Sequence, residues 1–400
     1  MDRAELSEIV RATGCAETCG GYTLLCDPHW GPEERAQLAE IKAGIENQNA
    51  EIATGWLGIA SGGTGGRLKF ACHDEHTLGA AAAGFCDYFG LRRVNAVDVL
   101  PAFHVSGLMA RVRCATTGGA HLPWSWKQLE TGRRPSLPTA ADGWVLSLVP
   151  TQLQRLLGVG ETVAWLRQFR AVFVGGGPAW GELTEAAASL GVRVALSYGM
   201  TETAAMVTAL RPEEFEAGAR DCGAELPHAR VTIVDDASGA PLATGETGLV
   251  RVSGASVFRG YVGGRETANP EEAPNDERSF TTCDLGLMDT AGRLRVLGRR
   301  DAVIITGGKK VFPAEVEAAL SASGQFGDVV VLGVADAEWG QRVVACYPTD
   351  FPAPDFTRVG LALAELAAFK RPKEFRALET WPRSAQGKVN RAALAECISR

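Results

Sequence analysis

The chain has no run of 18 apolar residues and no long run of lysine or arginine. The first absence excludes a membrane-spanning helix. The second, with a formal net charge of −7, removes the electrostatic footprint that nucleic-acid binding requires. The opening MDRAELSEIVRATG is charged and lacks a hydrophobic h-region, so it does not read as a secretory leader. No internal repeat or low-complexity segment stands out. Ten cysteines are present, and most, such as Cys86, Cys114 and Cys346, lie in apolar contexts that suit reduced, buried thiols in a cytoplasmic protein. Cys15, Cys19, Cys26 and His29 do cluster. Their C-x3-C-x6-C-x2-H spacing lacks the tight paired knuckles of structural zinc sites, so a packed N-terminal segment is expected there in preference to a metal.

What remains is an ordinary globular composition, 46% hydrophobic and 22% charged over 400 residues, which is enough chain for two or more domains. Residues 1–50 are polar and read as helical, broken at Pro28-His29-Trp30-Gly31-Pro32. A short strand, Trp56 to Ala60, runs into Ser61-Gly62-Gly63-Thr64-Gly65-Gly66-Arg67-Leu68-Lys69. The glycines, hydroxyls and cations of that loop can surround phosphate oxygens, although the Gly-Lys-Ser/Thr ending of a Walker A loop is missing. Helix-like and strand-like stretches then alternate. Thr77–Phe89 precedes a strand, Val97–Leu100, ending near His104, with Leu108 and Arg111 on the face of the next helix. Strands at Gly143–Leu148, Ala171–Val174 and Val192–Leu196 follow. Such alternation predicts an α/β fold with a mostly parallel sheet, whose ligands bind beyond the carboxyl ends of the strands. Gly175-Gly176-Gly177 and Ser197-Tyr198-Gly199-Met200-Thr201-Glu202 both fall there. Tyr198 offers a flat face for a base, Thr201 a hydroxyl for phosphate and Glu202 a hard oxygen ligand for Mg²⁺.

From about residue 222 the pattern turns β-rich, and beyond Asp301 a smaller α+β unit follows, with helices at Ala314–Leu320 and Gly360–Ala368. Between them lies Thr281–Pro313. Asp284 and Arg299, each near a strand end, can grip a sugar diol, because the acid accepts hydroxyl protons and the guanidinium fork donates to the same oxygens. The same residues also suit a solvated surface, and the spacing alone leaves both readings open.

The ordered set resembles the acyl- and aryl-CoA synthetase family of adenylate-forming enzymes. It comprises Ser61–Lys69, Phe103-His104-Val105-Ser106-Gly107, Gly175–Pro178, Tyr198–Glu202, Gly245–Gly248, Gly260-Tyr261, Asp284, Gly298–Asp301, Gly307-Gly308 and Pro382–Lys388, covering about residues 55–395. The resemblance implies a large domain over 1–300, with its β-rich part at about 222–300, and a small mobile domain over 301–400 that hinges at Asp301. It implies that Ser61, Gly63, Thr64, Gly66 and Lys69 hold the phosphates of ATP, and that Gly175, Gly176, Gly177, Tyr198 and Gly199 frame the adenine. Asp284 and Arg299 would bind the ribose, Thr201 the α-phosphate, and Glu202 the Mg²⁺. Lys388 would be the catalytic lysine, and Gly307 and Gly308 would meet coenzyme A. His104, Ser197 and Met200 would border the carboxylic acid. A second carboxylate on that acid would need donors, for which Arg111 is a candidate, and a surface salt bridge is the other reading of Arg111. Gly62, Gly65 and Leu68 depart from the family's usual phosphate loop, as do Cys283 before Asp284 and Ala302 after Asp301. Only about sixty residues precede the phosphate loop, which implies a shortened N-terminal part.

Within the family the chain looks most like the o-succinylbenzoate–CoA ligases of menaquinone synthesis. A ligase for another acid, a carrier-protein loader and a non-catalytic nucleotide-binding protein are the alternatives. Neither a monomer nor a homo-oligomer is excluded.

Overall fold

The computed structural model describes residues 1–47, 55–62, 67–138, 143–179, 181–262, 270–271, 278–350, 352–383 and 389–399. These build four sheets that follow one another along the chain. The first contains β1 (Ala16–Cys19), β2 (Tyr22–Leu25), β3 (Leu57–Gly62) and β4 (Leu68–His73) in that spatial order, with β2 and β3 parallel and the other pairs antiparallel. Residues 1–50 are therefore not simply helical. A β-hairpin separates the helices Arg3–Arg11 and Pro32–Asn47. The sequence carries its signal: Gly20 and Gly21 take φ of 53° and 86°, as a two-residue type I′ turn requires.

The second sheet holds β5 (Ala96–Asp98), β6 (His121–Pro123), β7 (Val145–Leu148), β8 (Ala171–Val174), β9 (Val194–Met200), β10 (Ala205–Ala209) and β11 (Ala224–Glu225). Its order is β11-β10-β9-β8-β7-β5-β6; β5 to β9 run parallel, β10 returns antiparallel to β9, and β11 pairs antiparallel with β10. Alternate residues enter different cores. Leu146, Val172 and Val194 pack with Trp165 and Phe169, whereas Val145, Phe173 and Ala195 pack with Phe85 and Tyr88. Burial on both faces explains why Ala-Val-Phe-Val at β8 is apolar throughout. The helix Glu75–Phe89 is fixed at both ends: Asp74 accepts a hydrogen bond from the Thr77 amide, and Gly90 closes it at φ 60°.

The third sheet, β12 (Ala229–Val234), β13 (Gly248–Gly254), β14 (Arg278–Met288) and β15 (Leu294–Arg299), is wholly antiparallel. Its core reaches Ala71 of β4 and Val207 of β10, with Tyr198 and Met200 packed at its edge. The fourth contains β16 (Ile304–Thr306), β17 (Lys309–Val311), β18 (Val330–Asp336), β19 (Gly340–Pro348) and β20 (Glu374–Leu378). Helices Pro313–Ala322 and Phe356–Leu363 pack on it around Val316, Val331, Val343 and Val359. The second helix starts four residues before the expected Gly360 because Asp355 caps it, accepting from the Thr357 amide at 2.9 Å. Among the described residues no helix is long and apolar enough to cross a membrane.

Candidate active site

β9 does not stop at Leu196. It continues through Ser197-Tyr198-Gly199-Met200 and ends in a tight turn, Thr201–Thr203. The chain then doubles back as β10, with Met206 opposite Gly199. The Thr203 hydroxyl accepts from the Met200 amide at 3.0 Å and donates to the Ala205 carbonyl at 2.8 Å, bracing the turn. Ala204 and Ala205 sit at φ 53° and 80°, a left-handed conformation that costs roughly 1 kcal/mol or more at a non-glycine residue. His73, at the end of β4, donates through Nε2 to the Thr201 carbonyl at 2.8 Å, and its Nδ1 lies 3.0 Å from the Thr77 hydroxyl. Burial pushes the His73 imidazole down from 6.5 to about 4, and that of His228 likewise. A histidine whose folded pKa is depressed favours folding above its ordinary pKa, and that contribution disappears as the pH falls. The urea midpoint is therefore expected to drop between pH 6.5 and 4, with a shallower drop in His73→Gln. Equal slopes in the two proteins would count against a buried neutral imidazole.

The turn presents Glu202, only 6% exposed. Its Oε1 accepts from the Ser61 hydroxyl at 2.6 Å and the Tyr261 phenol at 2.8 Å. Ser61 comes from β3. Tyr261 comes from the segment after β13, which lies along β4: Arg259 N donates to Cys72 O, Cys72 N to Gly260 O and Val262 N to Phe70 O. In the same segment the Phe258 amide donates to the Glu202 carbonyl at 2.9 Å. An ion pair of 2.7 Å between Arg259 and Asp74, both nearly buried, fixes it further. Parts of three sheets thus converge on one carboxylate. Both of these partners are neutral hydroxyls, and no described residue forms an ion pair with Glu202. Burial, and then the charge of Glu202, push the Tyr261 phenol well up, so it stays a donor. Lys69 lies opposite Ser61 in the β3–β4 ladder, its ammonium 5.4 Å from the Tyr261 ring. Gly63, Thr64 and Gly66 lie outside the described residues. At the loop's exit, the Leu68 amide is pinned to the Gln37 side chain at 2.6 Å.

Asp284 and Arg299 face one another directly across β14 and β15, with Arg299 Nη1 3.8 Å from Asp284 Oδ1. Tyr198 joins them from β9, its phenol donating to Asp284 Oδ2 at 2.8 Å. Burial raises the Asp284 pKa against the pull of Tyr198 and Arg299. Burial and the Asp284 charge raise that of Tyr198 well above its ordinary value. Arg299 also turns two nitrogens to Asp301, at 2.9 and 2.8 Å, so the residue named as a hinge holds one edge of the clamp.

Gly175, Gly176 and Gly177 follow β8. Ser197 reaches that strand through its hydroxyl, 3.4 Å from Val174 O, so the two segments adjoin. His104 precedes the helix Val105–Thr117, its ring 4.6 Å from that of Phe103. Gly307 and Gly308, at φ 54° and 73°, form the two-residue turn between β16 and β17. Arg111 is not gathered with this group and lines a separate cavity. Lys388 lies outside the described residues. No described group of three metal-ligating side chains exists: Cys19 turns to Lys42 O and Glu46, Cys26 to Leu24 O, and His29 is exposed beside Asp27. Sequence reasoning missed His73 and the Arg259–Asp74 pair, and used Tyr261 only as part of an ordered motif.

Taken together, a buried anionic turn, a tyrosine–carboxylate–arginine clamp and a glycine turn line the carboxyl ends of a parallel sheet, as expected for a nucleotide site. The chain matches the AMP-binding enzyme model over residues 59–262 and the AMP-binding enzyme C-terminal domain over 315–388. The chain belongs to the AMP-binding enzyme family. It is 33% identical over 312 residues to the 2-succinylbenzoate–CoA ligase of Geobacillus kaustophilus, a match covering 75% of this chain and 60% of that one. To the ligase of the same name from Bacillus pumilus it is 31% identical, covering 93% and 74%. To the probable 2-succinylbenzoate–CoA ligase of Mycobacterium tuberculosis it is also 31% identical, covering 84% and 83%. Among solved structures it resembles the o-succinylbenzoate CoA synthetase of Bacillus subtilis. With the acyl-adenylate intermediate OSB-AMP, that protein superimposes at TM-score 0.74 and 27% identity, covering 94% of this chain and 78% of the other. With ATP and magnesium ion the values are 0.77 and 25%, covering 98% and 87%.

Proposed function

We propose that the chain is an ATP-dependent acid–CoA ligase, with o-succinylbenzoate as its acid, acting in the cytoplasm where ATP and coenzyme A are supplied. The observation that carries this reading is Glu202: a nearly buried carboxylate with two hydroxyl donors and no described cation fits Mg²⁺. When bound there, Mg²⁺ supplies charge neutralisation for the triphosphate. Thr201 donates its hydroxyl toward the α-phosphate, and Lys69 and the glycine loop face the outer phosphates. Asp284 and Arg299 hold the ribose hydroxyls, and Tyr198 flanks the base. An oxygen of the acid attacks the α-phosphorus as the bond to pyrophosphate breaks. Lys388 bridges attacking oxygen and phosphate as charge concentrates between them, an interaction stronger in the transition state than before it. The acyl-adenylate then reacts with the thiol of coenzyme A, and AMP leaves. Rotation of residues 301–400 at Asp301 withdraws Lys388 and brings the Gly307-Gly308 turn to the thiol channel, beside His104.

The similarity to ligases of known name supports the substrate, and this chain spans 60% of the length of the first of them. A panel of acids, o-succinylbenzoate first, with ATP, Mg²⁺ and coenzyme A tests the reading by following pyrophosphate, AMP and thioester. Adenylation without free thioester indicates a carrier-bound acceptor, and no acid-dependent pyrophosphate release overturns the proposal. Removing the clamp's phenol in Tyr198→Phe leaves Asp284 short of a donor. It is expected to raise the KM for ATP roughly five- to tenfold, the worth of one ordinary hydrogen bond of about 1 kcal/mol, with a smaller change in kcat. An unchanged KM would remove Tyr198 from nucleotide binding.

A further inference from the structure

The carboxyl ends of β5 and β6 border an open cavity of about 340 Å³, lined among others by Asp98, Pro101, Arg111, Pro123, Trp124 and Trp126. None of the residues around Glu202 or Asp284 lines it. It stands one turn from the site, because its wall runs on from Pro101 to His104, whose amide donates to the Pro101 carbonyl at 3.0 Å.

Its charges are unevenly satisfied. Asp98, with a side chain 3% exposed, accepts from the Leu100 amide at 3.2 Å through Oδ1 and lies 3.0 Å from His121 Nε2 through Oδ2. Arg111 is different. Its nearest carboxylate oxygen, Asp98 Oδ2, is 3.9 Å from Nε, too far for a hydrogen bond. That Nε is buried, and no described residue accepts a hydrogen bond from it. The side chain remains 22% exposed, and no described residue accepts a hydrogen bond from the outer nitrogens of the fork either. A planar fork of donors without acceptors selects a carboxylate, which it can bind through two parallel hydrogen bonds. Two indoles and two prolines beside it select a flat apolar body. The volume lies within the roughly 300–1,000 Å³ of small-molecule pockets.

We propose that this cavity is a second ligand site, for an aromatic carboxylate whose acid group sits on the Arg111 fork and whose ring lies against Trp124 and Trp126. The carboxylate comes either from the far end of the acid substrate, reaching past His104, or from a separate molecule that acts on the His104 loop.

Benzoate and phthalate are the probes, titrated calorimetrically into the wild-type protein, Arg111→Met and Arg111→Lys. Melting temperature checks folding, and Mg²⁺–ATP titration is run in parallel. Saturable binding to the wild type is expected, at least about tenfold weaker in Arg111→Met. Arg111→Lys, which keeps the charge and loses the fork, falls between them. Displacement of the probe by o-succinylbenzoate with ATP assigns the site to the far end of the substrate, and simultaneous binding assigns it to a separate carboxylate. No binding to the wild type at tens of millimolar, or equal binding to a folded Arg111→Met, overturns the proposal. Failure of ATP to bind, with the probe still bound, overturns the ligase reading and leaves this one standing.

Discussion

Glu202→Gln is expected to slow acid-dependent pyrophosphate exchange by about 10²–10³-fold, while the protein melts at the same temperature or slightly higher. The substitution is nearly isosteric. The amide oxygen still accepts from Ser61 at 2.6 Å and Tyr261 at 2.8 Å, so the junction of the first sheet, the turn after β9 and the segment along β4 is retained. What disappears is a charge held at 6% exposure without a described cation. Desolvating such a charge costs free energy in the folded protein, and removing it relieves that cost. On the proposed reading the same charge would balance the metal on the triphosphate, so its loss would fall on the step in which pyrophosphate leaves. Raising the Mg²⁺ concentration is expected to recover part of the rate. A variant within about threefold of the wild type at all Mg²⁺ concentrations would mean that the carboxylate is structural, holding three segments together and nothing more.

The parts of this site differ in how far the sequence shows them, and the difference follows chain separation. Asp284 and Arg299 sit on neighbouring strands of one hairpin, closed by a turn in which Asp289 accepts from the amides of Ala291 and Arg293. Local rules of alternation and turn chemistry therefore place them together. Tyr198 reaches Asp284 across 86 positions and Ser61 reaches Glu202 across 141, from different sheets. No periodicity encodes such a meeting, and only the ordered motif set pointed to it. The alternation of helices and strands gave the α/β class, yet β4 and β10 escaped. Each is an antiparallel return strand, β4 against β3 and β10 against β9, and in the sequence the neighbouring Ser61–Lys69 and Tyr198–Glu202 motifs read as ligand loops before they read as hairpin connections. His73 escaped for another reason. Its contacts are with a backbone carbonyl and a neighbouring threonine, and neither leaves a motif.

Gly199→Ala tests how tightly the turn is built. A Cβ on residue 199 would lie 1.9 Å from the Ala205 carbonyl oxygen and 2.5 Å from its carbon, on the strand that returns alongside it. Both atoms are backbone, so no rotamer change relieves the overlap. β10 must shift, and Ala204 and Ala205, already at φ 53° and 80°, have little further conformational freedom with which to follow it. A loss of about 3 kcal/mol or more is expected, the range of overpacked or strained interior positions. Because the strand carries Tyr198 on one side of residue 199 and Thr201 and Glu202 on the other, displacement also moves the clamp relative to the turn. The fraction that stays folded is therefore expected to lose more in pyrophosphate exchange than in ATP affinity, since misplacing reacting groups by about 1 Å costs on the order of 10² in rate. Gly79→Ala is the control. It lies inside the helix Glu75–Phe89 with nothing within 4 Å of the added carbon, and is expected to raise stability by about 0.5–1 kcal/mol. Urea unfolding of the two variants, with exchange measured on the folded protein, separates the effects. If Gly199→Ala matched Gly79→Ala in both, the close approach of β9 and β10 would not be what holds Thr201 and Glu202 in place.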